Sequence, residues 1–342
     1  MKRILLILLL LMPNITFALS VPSKSAILID QDSGRILYSK NINEKRLIAS
    51  TTKIMTAVIA IESGKLDNMV TIDDTVLESY GSGIYIKPGE KITLRELVYG
   101  LLLRSGNDAA LAIENYLGGH DKFITKMNIK AKEIGMKNTF FENSNGLDEN
   151  GEENISTVYD MALLMKYANN LYDFREIDST KKIDVETNKN YYLWTNKNKL
   201  LFSYKYATGG KTGYTTKARR TLVTSASKDD VNLIAVTFVD KDDFNTHKRL
   251  YEYGFNNYKR YLILNKKKIK IKGYNKVYIK QNYYYLLKNR ENKKITTKVI
   301  IDRKDNILGY ISVKFNDKEV HREPIYINKN YKKKSVKSLF KF

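Results

Sequence analysis

The chain has 342 residues, with 59 Lys and Arg against 37 Asp and Glu, a formal net charge of +22. Its 43% hydrophobic content suits a folded protein, long enough for one large and one small domain. Cysteine is absent, which excludes disulfides, thiol nucleophiles and thiolate metal sites, and the three histidines, His120, His247 and His321, lie too far apart for a histidine-rich zinc site; neither a metal nor a cofactor is expected.

Lys2 and Arg3 precede nine apolar residues, Ile4 to Met12, then Pro13 and small residues around Ala18 and Ser20. That order predicts an export signal over residues 1–20 and a mature protein working outside the cytoplasm, at the outer face of the membrane. Nine residues span roughly 14 Å as a helix, short of a hydrocarbon core of about 30 Å. Next, Ala26–Asp30 and Arg35–Tyr38 flank the turn Gln31-Asp32-Ser33-Gly34 as two strands. From Ser50 to Gly64 the pattern is helical and apolar on nearly every face, which places this helix in the domain centre. Further helices are predicted at Leu94–Leu103, Ala109–Tyr116, Lys122–Ile134, Val158–Asn169 and Thr246–Tyr258. Thr221–Ser225 and Asn232–Val239 read as strands joined by a charged turn containing Asp229 and Asp230.

After Leu264 short alternating runs take over: Lys270–Tyr274, Lys276–Ile279, Thr296–Ile301, Ile307–Val313 and Pro324–Ile327. The expectation is an α+β fold: a catalytic domain over residues 21–262, a small β-rich domain over 263–327 and a basic amphipathic tail over 328–342. Residues 261–342 hold 23 Lys and Arg against 6 Asp and Glu, so +17 of the net charge lies there. Such a third suits an anionic surface, lipid headgroups or wall polymers, with the tail as an interfacial membrane anchor. Nucleic acid is not expected as a partner of an exported protein.

Three short elements carry chemistry: Ser50-Thr51-Thr52-Lys53, Ser105-Gly106-Asn107 and Lys211-Thr212-Gly213. Serine followed three residues later by lysine recurs at Ser179/Lys182, Ser225/Lys228 and Ser338/Lys341, whereas Lys-Thr-Gly occurs once. Order and setting give them weight. On a helix, Ser50 and Lys53 share a face, so Lys53 can take the hydroxyl proton once burial and a second ammonium, from Lys211, lower its basicity. Ser50 at the helix start also offers its amide to an oxyanion. Ser105 and Asn107, in a turn between helices, can relay a proton and hold a substrate amide. Lys211 and Thr212, on an edge strand, can bind a terminal carboxylate beside an extended peptide, with Gly213 leaving room and Tyr214 adding a second oxyanion amide.

With these motifs, and with Ile84–Glu90, Leu101–Ala110, Gly135–Thr139, Asn145-Gly146-Leu147 and Gly210–Thr215, the chain resembles the D-alanyl-D-alanine carboxypeptidases, low-molecular-weight penicillin-binding proteins of the serine peptidase S11 family. The resemblance is strong over residues 21–260. It implies a penicillin-binding/β-lactamase-like domain, an antiparallel sheet flanked by helices, followed by a small β domain. It further implies removal of the terminal D-alanine from the peptidoglycan stem pentapeptide through an acyl-enzyme on Ser50, with β-lactams as covalent inhibitors. By matching positions, Lys53 is the base, Ser105 the relay, Asn107 an orienting group, and Lys211 and Thr212 the carboxylate contacts. Two departures stand out. Tyr214 occupies a frequent histidine position, where only the backbone amide is needed. Asp243 falls where many relatives place an arginine for the substrate carboxylate, leaving Lys241, Arg219 and Arg220 as the candidate substitutes. No Glu-x-x-Leu-Asn occurs, so rapid penicillin turnover of the class A β-lactamase type is not expected. An endopeptidase cutting cross-links, and a non-catalytic wall-binding protein, are the competing readings.

Overall fold

A computed structural model describes residues 19–148, 151–267, 269–271, 274 and 277–327. The expected export signal lies almost entirely, and the basic tail wholly, outside the described residues. The centre is a five-stranded antiparallel sheet. Its strands are β1 (Ser25–Asp30), β2 (Ile36–Lys40), β3 (Ala207–Thr215), β4 (Arg219–Lys228) and β5 (Val231–Phe238), in the order β2-β1-β5-β4-β3. Every residue of β1 is buried, which makes it an inner strand. Alternation then divides the two faces. Ile27, Ile29, Val223, Ile234 and Val236 join one core, while Leu28, Leu233 and Ala235 join another with Leu250 and Tyr251.

The first face is covered by helices. Helix α1 (Lys53–Glu62) is buried from Lys53 to Ala60, as its unbroken apolar sequence requires. Around it lie α2 (Leu94–Tyr99), α3 (Asn107–Tyr116), α4 (His120–Ile134), α5 (Val158–Ala168) and α6 (Tyr172–Ser179). The second face is covered by α7 (Asp243–Asn257), which begins three residues earlier than predicted. A buried polar cluster joins sheet to helix there: Thr224 Oγ1 lies 2.6 Å from both His247 Nδ1 and the Tyr251 hydroxyl.

The predicted helix over Leu94–Leu103 divides in two. Thr93 and Glu96 form a reciprocal capping box for α2, and at Gly100–Arg104 the chain widens into a π-turn. Gly100 is needed there, since a Cβ would run into Ile84 and Trp194. Sequence reading passed over α6 and the ribbon formed by Lys182–Glu186 and Tyr191–Thr195.

Beyond α7, β6 (Lys259–Leu264) runs across the boundary expected at residues 262–263 and pairs with β7 (Tyr283–Leu287). A second antiparallel sheet contains Val277–Tyr278 and the strands β8 (Ile295–Lys304), β9 (Ile307–Phe315) and β10 (Lys318–Ile327). Leu308, Ile311, Val313, Ile325 and Ile327 supply its separate core. Within the strand expected at Lys270–Tyr274, which lies partly outside the described residues, Ile271 and Tyr274 form an isolated bridge. Arg35, in the β1–β2 turn, ties the two sheets together. It pairs with Glu291 at 2.8 Å and its guanidinium carbon lies 4.4 Å from the Phe315 ring centre and 5.2 Å from those of Tyr258 and Tyr285. No described helix is long and apolar enough to cross a membrane.

Candidate active site

Ser50 lies in a 3₁₀ turn, Ala49–Thr52, that leads directly into α1 at Lys53. Side chains three apart eclipse one another in such a turn, which sets Ser50 directly beside Lys53. The turn is pinned at its start: Thr51 and Thr221 hydroxyls both donate to the Ile48 carbonyl, at 2.6 and 2.9 Å. Ala49 is held at φ 49°, a left-handed conformation uncommon for a residue with a Cβ. Gly146 makes this possible, because a Cβ there would collide with the Ala49 carbonyl.

Lys53 is fully buried. Its Nζ lies 3.1 Å from Ser50 Oγ, 2.7 Å from Asn107 Oδ1 and 2.5 Å from the Asn145 carbonyl oxygen. Burial first, then the charges of Lys211 and Lys197, hold this ammonium well below the usual lysine range, against the pull of Asp108. In its neutral form the amine has two N–H donors and one lone pair. Asn107 and Asn145 take the donors, and the lone pair faces the Ser50 hydroxyl. The geometry is that of a base poised on a nucleophile.

Ser105 closes the π-turn with φ 63°, and this left-handed turn aims its hydroxyl at the Lys211 ammonium, 3.0 Å away. Asn107, the first residue of α3, donates its amide to the Tyr80 carbonyl at 2.5 Å, while its oxygen accepts from Lys53. Its neighbour Asp108 accepts from the backbone of Ile84 and Tyr85, so the loop before α2 is fastened to the same helix start. Asn107 thus meets the base directly, a contact beyond the substrate-orienting role expected of it.

Strand β3 forms the opposite wall and the free edge of the sheet, as expected, although it begins at Ala207 rather than Lys211. Lys211 is buried, and burial reinforced by Lys197 pushes its pKa down to about 7, with Asp178 opposing. Asp178 lies behind the strand, its own carboxyl raised to about 7 by burial. Gly213 abuts the nucleophile: a Cβ there would stand 3.1 Å from the Ser50 amide nitrogen. Thr212 and Gly213 line an open cleft of about 550 Å³ with Ser50, Ser105, Tyr214 and Arg220.

The eight residues of the three motifs and Tyr214, from Ser50, Lys53, Ser105 and Asn107 to Lys211, Thr212, Gly213 and Tyr214, therefore come together at this cleft; of the candidate carboxylate contacts, Arg220 and Lys241 line it and Arg219 does not. Sequence reading named Asn145 within a stretch that resembles the family but gave no role to its carbonyl, which contacts Lys53, and it passed over Lys197, which donates to Ser82 Oγ at 3.0 Å and bears electrostatically on both buried lysines. A backbone acceptor leaves no side-chain signature, and Lys197 sits in a run of asparagines and lysines without pattern. Among the described residues, no three His, Asp or Glu side chains are grouped to hold a metal.

Comparison with known proteins supports the same reading. Residues 13–242 match the family Peptidase_S11, D-alanyl-D-alanine carboxypeptidase. D-alanyl-D-alanine carboxypeptidase DacF of Bacillus subtilis is 36% identical over 259 residues, covering 70% of this chain but 66% of that protein, just under two thirds of its length. Among solved structures, penicillin binding protein 6B from Escherichia coli superposes with a TM-score of 0.71 at 28% identity, over 91% of this chain and 98% of that one. D-alanyl-D-alanine carboxypeptidase DacD from Francisella tularensis gives a TM-score of 0.71 at 25% identity, over 93% and 97%. This chain belongs to the Peptidase_S11 family, the D-alanyl-D-alanine carboxypeptidases, and has their α+β penicillin-binding-protein fold.

Proposed function

We propose that this protein is a serine-type D-alanyl-D-alanine carboxypeptidase that removes the terminal D-alanine from the peptidoglycan stem pentapeptide outside the cytoplasm. The observation that carries the reading is the fully buried Lys53 amine, 3.1 Å from the Ser50 hydroxyl, with both of its other contacts to neutral acceptors. Ser50 Oγ attacks the carbonyl carbon of the last peptide bond as Lys53 takes its proton. The resulting oxyanion is received by the amides of Ser50 and Tyr214, on either side of the Gly213 contact. Ser105, bridged to Lys211, hands its hydroxyl proton to the departing D-alanine nitrogen and is reprotonated by the proton that Lys53 took from Ser50, so the peptide bond breaks and Lys53 is neutral again. Water then attacks the acyl-serine ester and frees Ser50. Lys211 and Thr212 hold the substrate's terminal carboxylate, and Asn107 orients its amide. β-Lactams would stop at the acyl stage.

We also assign residues 1–20 to an export signal, 21–262 to the catalytic domain, 263–327 to a small β domain, and 328–342 to a basic tail at an anionic membrane surface. The direct test compares the parent with Ser50→Ala. The parent should bind fluorescent penicillin stoichiometrically and release D-alanine from a pentapeptide, and the variant should do neither. Labelling that survives in Ser50→Ala removes the assignment.

A further inference from the structure

Arg220 lines the same cleft as Ser50, Thr212 and Gly213, and its side chain is 40% exposed. It lies on β4 directly across from Tyr214, one register step beyond the pair Thr221–Gly213. Three contacts fix it. Nε donates to Asp243 Oδ2 at 3.0 Å and Nη2 to Asp243 Oδ1 at 2.6 Å, a planar two-point fork. The Phe244 ring lies 5.5 Å from the guanidinium carbon. The Arg220 carbonyl accepts from the Val239 amide at 2.8 Å, so the backbone is tethered as well. Asp243 has a side chain 3% exposed; it turns both carboxylate oxygens to Arg220, and Oδ1 also accepts from the Phe244 amide at 2.8 Å.

A buried carboxylate holding a half-exposed guanidinium in a substrate cleft is an arrangement for presenting an arginine. Guanidinium carries five N–H donors, and Asp243 engages two, leaving three for a second anion. Lys241, which lines the cleft from an exposed position, and the buried Lys211 offset the added negative charge. Arg219 is not among the cleft residues. Resting on the carboxypeptidase reading, we propose that Arg220 receives the substrate's terminal carboxylate beside Lys211 and Thr212, and that Asp243 is its positioning residue. The negative charge on α7 is then no defect of the site: the helix supplies the anion and the strand supplies the cation.

The experiment measures acylation rates of the full chain by a penicillin bearing its free carboxylate and by the methyl ester of the same penicillin. Arg220→Gln should slow the free acid about ten- to hundredfold, the weight of a charge-assisted bidentate contact, and leave the ester unchanged. Asp243→Asn should lower the same acid-to-ester ratio less steeply, and it supplies the reading if Arg220→Gln folds poorly. With pentapeptide, both variants should raise KM more than they lower kcat. An unchanged acid-to-ester ratio in Arg220→Gln, or equal slowing of acid and ester, overturns the assignment. A parent that takes up no penicillin overturns the proposed function itself, and this inference with it.

Discussion

Lys53→Met is the most informative single change. It keeps a chain of similar length in the buried slot and removes the amine that lies 3.1 Å from Ser50 Oγ. A positioned general base contributes about 10² to 10⁴ in rate, or about 2.7–5.4 kcal/mol, and acylation by penicillin should fall by that amount. Stability should change little, because two effects oppose each other. The substitution orphans Asn107 Oδ1 and the Asn145 carbonyl, at about 1–3 kcal/mol each if they stay dry. It also removes a buried amine whose charged form burial opposes. The melting temperature should therefore stay close to the parent's while labelling collapses. The pH profile adds a third reading. Lys53 acts as a base only when neutral, and burial first, then Lys211 and Lys197, depress its pKa, so the parent's acylation should rise with pH and level off well before the usual lysine range is reached. Stopped-flow labelling across pH, paired with thermal melts, measures all of this. A variant that melts like the parent and acylates within tenfold of its rate would refute Lys53 as the base.

Lys211→Met tests the other buried lysine through stability. Its folded pKa, about 7, lies below the unfolded value of 10.5, so folding expels a proton between those pH values and stability should rise with pH there, by about 1.4 kcal/mol per unit per proton. Denaturant melts should show a shallower rise in the variant, and parallel curves would contradict this. Lys197→Met removes a cation that depresses both buried lysines, so the entire pH profile of acylation should move upward; a downward move would sink the electrostatic account. Gly213→Ala inserts a Cβ 3.1 Å from the Ser50 amide and into Thr221 Oγ1, and should cut acylation without unfolding the sheet. Thr224→Val strips a partner from buried His247 and Tyr251, and should cost about 2–4 kcal/mol in a urea melt while sparing the acylation rate of the folded fraction.

Much of the site was legible because its three motifs combine side-chain chemistry with turns that local sequence specifies. Apolar residues on every side of α1 marked the buried helix, and with it the burial of Lys53. Lys-Thr-Gly next to a hairpin marked the sheet edge, and the charged turn at Asp229 and Asp230 fixed that hairpin's register. The missing pieces are those whose cause is non-local. The π-turn at Gly100–Arg104 continues an ordinary helical pattern, and only Ile84 and Trp194, far off in sequence, explain its glycine. The ribbon that carries Trp194 does alternate, but the charged outer face of its first strand, Lys182, Asp184 and Glu186, resembles a loop until the inner face finds a partner. Asn145 acts through a carbonyl oxygen, and nothing in a side chain announces that.

The placement of Asp243 shows how position-by-position expectation misleads at a cleft. An arginine anchor requires a guanidinium at one point in space, not at one point in the chain. β4 and α7 both border that point, and their side chains meet there at 2.6 Å. Either element can supply the cation if the other supplies a group to hold it. Sequence comparison at the helix alone reads a lost function. With the strand included, opposite charges sit at Arg220 and Asp243, and each residue is uninterpretable without the other. The same logic applies to the lysines: Lys53 can serve as a base because its site is dry and, beyond that, because Lys211 and Lys197, distant in sequence, crowd it with like charge. Reactivity here belongs to the cluster, so substitutions at any one cation should shift the titration of the others.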